Sequence, residues 1–242
     1  FTKKLEGKTL EADAFTFELL ENGNVIQTKK NKADGTIQFD AISYATEGTH
    51  TYTVREVVGT DTDIDYDTMN AEVTVNVTKN ATTGVLTANV TMPADSEFNN
   101  YAVAPVTAQF DFSKALAGRT LKAGEFSFVL KDENGTVLQT KTNDASGKVA
   151  FDALTYKNNE VGEHKYTVEE VAGSEAGMTY DPMKAEVTVT VTKDGHTLTA
   201  TKALPTDTEF NNTFTPGATT AQFNFTKKLE GKTLEADAFT FE

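Results

Sequence analysis

Apolar residues recur at every second position over short stretches of this chain, and turn-forming residues separate the stretches. FTFELL (15–20), HTYTVREV (50–57) and AEVTVNVT (71–78) are examples. Period-two alternation predicts strands that bury one face. On that pattern, strands are predicted near residues 1–5, 15–20, 25–29, 36–40, 50–57, 71–78, 85–91 and 97–101. The Asn-Gly dipeptides at 22–23 and 134–135 stand between alternating runs and predict hairpins. No long stretch has helical periodicity, although TLEADAF (9–15) has room for one short turn. Strand after strand, with abundant threonine and scarce proline, implies an all-β fold of two packed sheets.

The pattern then repeats. FTKKLEGKTLEADAFTFELL (1–20) returns as FSKALAGRTLKAGEFSFVL (112–130), and residues 225–242 match residues 1–18 letter for letter. YTVREV (52–57) pairs with YTVEEV (166–171), and IDYDTMNAEVTVNVTK (64–79) with MTYDPMKAEVTVTVTK (178–193). EFNN closes both copies, at 97–100 and 209–212. The chain therefore reads as unit A (1–103), a linker (104–109), unit B (110–216), and a second linker running into a truncated start of another unit A (217–242). An A-B-A order predicts a longer array in which length is the purpose, with adjacent repeats of the same chain as partners. The last 22 residues hold at most two strands and are not expected to fold alone.

Three positions break the apolar faces. Phe1, Lys3 and Leu5 share a face, as do Tyr52, Val54 and Glu56, and as do Phe98 and Asn100. Unit B repeats the set with Lys114, Glu170 and Asn212. None of these groups is cheap to bury without a partner. One reading is a buried Lys–Glu ion pair with Asn as hydrogen-bond partner. The other is covalent. Burial favours the neutral amine and the protonated carboxyl. A neutral lysine amine can attack a carboxamide carbon, with the glutamate polarising the carbonyl oxygen and carrying a proton to departing ammonia. The alternation alone leaves both open.

Composition narrows the function classes. The formal net charge is -14, which disfavours nucleic acid and anionic membrane as partners. The absence of cysteine excludes disulfides and thiolate metal sites. No apolar run is long enough to span a membrane and no signal peptide is visible, so the chain reads as a piece of a longer protein. The four aspartates of TDTDIDYD (60–67) lack calcium-loop spacing, and unit B keeps only Asp181 of them. The three histidines form no ligand cluster in sequence, and neither a nucleophile elbow nor a phosphate loop is present. No cofactor and no metal are expected.

The order F-x-K-x-L, then Y-T-V-x-E-V, then F-N-N resembles the isopeptide-forming domains of streptococcal backbone pilins, which are related to the B-type stalk repeats of Gram-positive collagen adhesins. The resemblance covers both full units, and residues 221–242 resemble only the opening of a third. It implies tandem immunoglobulin-like β-sandwiches of the isopeptide-forming stalk type. It further implies a Lys3–Asn100 bond promoted by Glu56 and a Lys114–Asn212 bond promoted by Glu170, each made once without turnover. Lys227 holds the reactive position of the third opening without partners, and Lys4 and Lys228 face outward as decoys.

The expected function is a stalk or shaft segment of a Gram-positive adhesin or pilus, extracellular and anchored to the cell wall. Neither a sorting signal nor a pilin-polymerising lysine motif is visible. The near-identical tandem units suit an adhesin stalk better than a pilin subunit. A competing expectation is a host-binding module whose variable loops, such as TDTDID (60–65) against SEAGM (174–178), contact a host protein or glycan. The expected solution state is a monomer.

Overall fold

The computed structural model describes residues 1–242 and is all-β, apart from a single 3₁₀ turn at Asn158–Glu160. Unit A runs β1 (Thr2–Glu6), β2 (Thr16–Glu21), β3 (Asn24–Lys30), β4 (Gly48–Val57), β5 (Ile64–Asp65), β6 (Asn70–Lys79), β7 (Leu86–Thr91) and β8 (Glu97–Ala102). The linker contributes β9 (Val106–Ala108). Unit B runs β10 (Asp111–Ala117), β11 (Ser127–Asp132), β12 (Val137–Thr142), β13 (Lys148–Ala150), β14 (Leu154–Tyr156), β15 (Gly162–Glu170), β16 (Met178–Thr179), β17 (Lys184–Asp194), β18 (Thr197–Ala203) and β19 (Glu209–Phe214).

Each unit is a sandwich. In unit A a five-stranded sheet, β3-β2-β4-β6-β7, faces a three-stranded sheet, β1-β8-β5. Unit B repeats this with β12-β11-β15-β17-β18 against β13-β10-β19-β16. The alternating apolar residues meet between the layers, where Phe17, Val54 and Phe98 in unit A, and Phe128, Val168 and Phe210 in unit B, are fully buried. The Asn22-Gly23 turn joins β2 to β3 with both residues at positive φ, as a two-residue hairpin requires. First and last strands are parallel neighbours: β1 pairs with β8 in register Lys3 to Phe98 and Leu5 to Asn100, and β10 pairs likewise with β19. That pairing places Lys3 and Asn100 diagonally across adjacent strands on the inner face.

Some expectations change. Residues 9–15 hold one short turn at 12–13, as their room for one allowed, but other segments differ. The predicted strand at 36–40 is reduced to one bridge between Thr2 and Thr36, whereas its counterpart in unit B forms β13. The short β5 carries little alternation and was not predicted. Residues 215–242 hold no strand, and Phe223, Phe225 and Phe241 stay largely exposed. A single hairpin's worth of sequence has no second sheet on which to bury its apolar face.

Val103, counted with unit A by sequence, packs in the core of unit B. Its backbone N–H donates to Asp63 O of unit A, so the linker is tied at both ends. The acidic loop of unit A grips unit B directly. Asp65 accepts hydrogen bonds from Lys193 at 2.6 Å and from Asn158 at 3.0 Å, and its other oxygen lies 2.6 Å from His196 Nδ1. Tyr101 stacks on the His196 ring at 3.5 Å, and Lys157 reaches Asp63 at 3.3 Å. Asp63 and Asp65, which unit B replaces with Gly177 and Thr179, thus form one half of a joint.

Partial burial works against the Asp65 charge, but hydrogen bonds from His196, Lys193 and Asn158 outweigh it and hold the carboxyl at about 2, below its ordinary 3.8. A depressed carboxyl stabilises the closed joint above its ordinary value, and that contribution is lost as pH falls through the bound value. We therefore expect the two units to tumble as one body at neutral pH and to uncouple between about pH 4 and pH 2. Asp65→Asn should uncouple them already at pH 7, read by NMR relaxation of the two units. Equal tumbling in that variant would show that Val103, the Tyr101–His196 stack and the Lys157–Asp63 pair hold the joint without the Asp65 charge.

Candidate functional site

The two sheets of unit A close over three polar side chains. β1 supplies Lys3, β4 of the facing sheet supplies Glu56, and β8 supplies Asn100. Lys3 and Glu56 are almost wholly buried, and Asn100 completely. Lys3 Nζ donates to Glu56 Oε2 at 2.8 Å, and Asn100 Nδ2 donates to Glu56 Oε1 at 2.7 Å. One carboxyl group therefore bridges the amine and the carboxamide nitrogen. Phe15 and Phe17 lie against the amine, with its nitrogen 4.7 Å from the Phe15 ring centre.

Unit B builds the same site independently. Lys114 Nζ donates to Glu170 Oε2 at 2.8 Å, and Asn212 Nδ2 to Glu170 Oε1 at 2.6 Å. The Lys114 and Glu170 side chains have no exposed surface, and Phe126 takes the place of Phe15 at 4.7 Å. All six residues singled out by alternation are thus brought together in two trios. Lys4 points out and pairs with Glu6, and Lys227 is exposed beside the Phe239 ring.

The geometry corrects one expectation. The carboxamide oxygen does not face Glu56. Asn100 Oδ1 accepts the backbone N–H of Asp67 at 2.7 Å, and Asn212 Oδ1 accepts that of Asp181 at 2.8 Å. The aspartate side chains fix those donors. Asp67 accepts the N–H groups of Asn99 and Met69, and Asp181 those of Asn211 and Met183. Glu56 and Glu170 are left facing the carboxamide nitrogen. The sequence signal was the shared Y-D-x-M at 66–69 and 180–183, hidden because strand alternation says nothing about loops.

Two further features hold the lysine strand. Gly35 and Gly147, both at positive φ, accept the backbone N–H of Lys3 and Lys114 at 2.7 Å. A Cβ at either glycine would sit 2.4 Å or less from the lysine carbonyl oxygen, so any other side chain would displace the strand. Asn31 and Asn143, buried in each unit, accept the N–H of Phe15 and Phe126 and so fix the ring beside the amine.

Electrostatics follow from the dry surroundings. Burial lowers the Lys3 amine below its usual value, against the hydrogen bond and charge of Glu56. Burial likewise raises Glu56, against its bonds to Lys3 and Asn100. Burial lowers Lys114 in the same way. In unit A both shifts move the pair toward amine and carboxylic acid, the forms in which the nitrogen lone pair is free and the carboxyl holds a proton.

Residues 1–102 and 110–215 each match the family described as Spy0128-like isopeptide containing domain. No curated protein matches the chain. Among solved structures, the chain is similar to the major pilin from Streptococcus pyogenes, at 17% identity over 88% of this chain and 94% of that one, with TM-score 0.33. It is also similar to the C-terminal fragment of the pilus adhesin SpaC from Lactobacillus rhamnosus GG, at 15% identity over 91% and 98%, with TM-score 0.31. Similarity to the Bacillus anthracis TIE protein, at 15% identity and TM-score 0.29, covers 88% of this chain but 33% of that protein, so this chain spans about a third of its length. With both units matched and only the linker and the last residues outside, the chain belongs to the Spy0128-like isopeptide containing domain family.

Proposed function

We propose that this chain is a load-bearing shaft segment of a Gram-positive pilus or adhesin, extracellular and anchored to the cell wall through parts of the protein beyond it. In this reading each unit locks itself with one Lys–Asn isopeptide bond. The observation that carries the reading is the bridging carboxyl: Glu56 and Glu170 each touch the amine and the carboxamide nitrogen in a buried site.

The chemistry proceeds from the neutral amine. Lys3 Nζ attacks Cγ of Asn100, and negative charge gathers on Oδ1, where the Asp67 N–H already points. The amine loses a proton to one Glu56 oxygen, and the carboxyl returns a proton to the Asn100 nitrogen. The Cγ–Nδ2 bond breaks, ammonia leaves, and an amide joins the side chains. Nothing is oxidised or reduced, and Glu56 ends as it began. Proximity comes from folding, so the step needs no cofactor and runs once per unit. Lys114, Asn212, Glu170 and Asp181 act alike.

The parallel first and last strands give the link its mechanical meaning. Tension applied through the chain enters a unit near β1 and leaves near β8. The Lys3–Asn100 bond bypasses nearly every residue between. The residues of the 60–65 loop that unit B does not share include Asp63 and Asp65, which contact unit B across the joint, and this supports the shaft reading over a host-binding one. Pulled through its termini in a single-molecule tether, the wild-type chain should show no extension step from either unit at forces that unfold ordinary sandwiches. Unfolding of either unit to its full contour length would overturn the proposal.

A further inference from the structure

Unit A carries an apolar groove that unit B does not. It has a volume of about 410 Å³ and is lined by Phe1, Phe39, Ile42, Tyr44, Val90 and Met92 among others. Val90 and Met92 are about half exposed. The counterpart of this space in unit B is filled by the linker. There β9 pairs with β14, setting Ala108 opposite Leu154 and Val106 opposite Tyr156. Phe110 is fully buried against Tyr166, and its carbonyl accepts the N–H of Phe151. Lys202, at the position of Val90, donates to Gln109 O at 2.7 Å.

The counterparts in unit A lack this partner. Ile42, Ser43 and Tyr44 form no strand, although Leu154, Thr155 and Tyr156 do. Tyr44 and Phe39 are only half-buried where Tyr156 and Phe151 are sealed. The hydroxyl pair is nonetheless kept, Tyr44 to Tyr52 at 3.0 Å and Tyr156 to Tyr166 at 2.9 Å. The same filling sequence occurs a second time in this chain. TAQF stands at 107–110 ahead of the unit B opening, and TAQF stands at 220–223 ahead of FTKKLEGKTLEADAFTFE, the verbatim unit A opening. Phe223 is 79% exposed.

We propose that the groove of unit A is the seat of a linker strand with the sequence TTAQF (219–223). The strand adds to residues 42–44 as β9 adds to β14, and Phe223 takes the place that Phe110 holds in unit B. Recognition combines main-chain pairing with one aromatic anchor in an apolar slot. The inference does not depend on bond formation and stands or falls separately from it.

The test is the full chain carrying residues 213–224 as an N-terminal extension fused ahead of Phe1, followed by hydrogen exchange. Amides of Ile42–Tyr44 should exchange at least tenfold more slowly than in the unextended chain. Replacing the Phe of the extension with Asp should restore the fast rate. No slowing, or slowing that survives the Asp change, overturns the proposal. A concentration series on the unextended chain separates the sources. Slowing at high concentration that Phe223→Asp abolishes means that a second copy delivers the same strand, which supports the proposal. Slowing that persists in that variant means that another face covers the groove, and overturns it.

Discussion

The intact chain should weigh two ammonia molecules less than its sequence predicts. Each trio joins one amine to one carboxamide, and each union expels one nitrogen. Proteolytic digestion should yield branched peptides uniting the Lys3 strand with the Asn100 strand and the Lys114 strand with the Asn212 strand. Glu56→Ala should restore one ammonia and leave the unit B bond intact, because Glu170 serves a separate core. Glu56→Gln keeps a hydrogen-bonding group of similar size but cannot relay the proton, so it too should leave Lys3 and Asn100 unlinked in a unit that still folds. A full-mass wild-type chain would remove the mechanism. Loss of both bonds in a Glu56 variant would show that the trios are not independent.

Asn100→Ala should uncouple the stabilities of the two units. A cross-link closing a loop of nearly 100 residues is worth about 4.7 kcal/mol in unfolded-chain entropy by the loop model. The substitution removes that link and also leaves the Asp67 N–H without its acceptor, Asn100 Oδ1, at a further cost of about 1–3 kcal/mol. Lys3 and Glu56 remain as a buried pair, which is why the unit should still fold. Calorimetry should then resolve two transitions where the wild type gives nearly coincident ones, with unit A melting first. Reductant should change nothing in either protein, since the chain has no cysteine. An unchanged melting profile would mean that the wild-type bond is missing or that β1–β8 pairing alone suffices.

Much of this molecule was legible in its sequence because a strand has a strict period. A side chain two positions from a buried phenylalanine must face the same way, so Lys3, Glu56 and Asn100 could be assigned inward before any contact was known. The repeat doubled the signal, since Lys114, Glu170 and Asn212 obey the same register. Loops obey no such period. The role of Asp67 and Asp181 rests on backbone N–H groups, which carry no sequence identity. Gly35 and Gly147 matter because a carbonyl from a distant strand comes within reach, a fact of packing alone.

The same limit explains the strand at 36–40 and the groove beside it. Local pattern predicted that strand in unit A, but a strand persists only where a neighbour satisfies its backbone. In unit B the counterpart, β13, pairs with Asp111–Ser113 of β10, whereas in unit A the segment keeps the single Thr2–Thr36 bridge to β1. The sequence by itself determined which residues face inward, because alternation is local and covalent geometry enforces it. The tertiary structure alone decided which carboxamide oxygen meets which N–H, how Asp65 joins two units and where a groove is left open. Those depend on segments far apart in the chain, whose meeting is set by the packing of whole sheets.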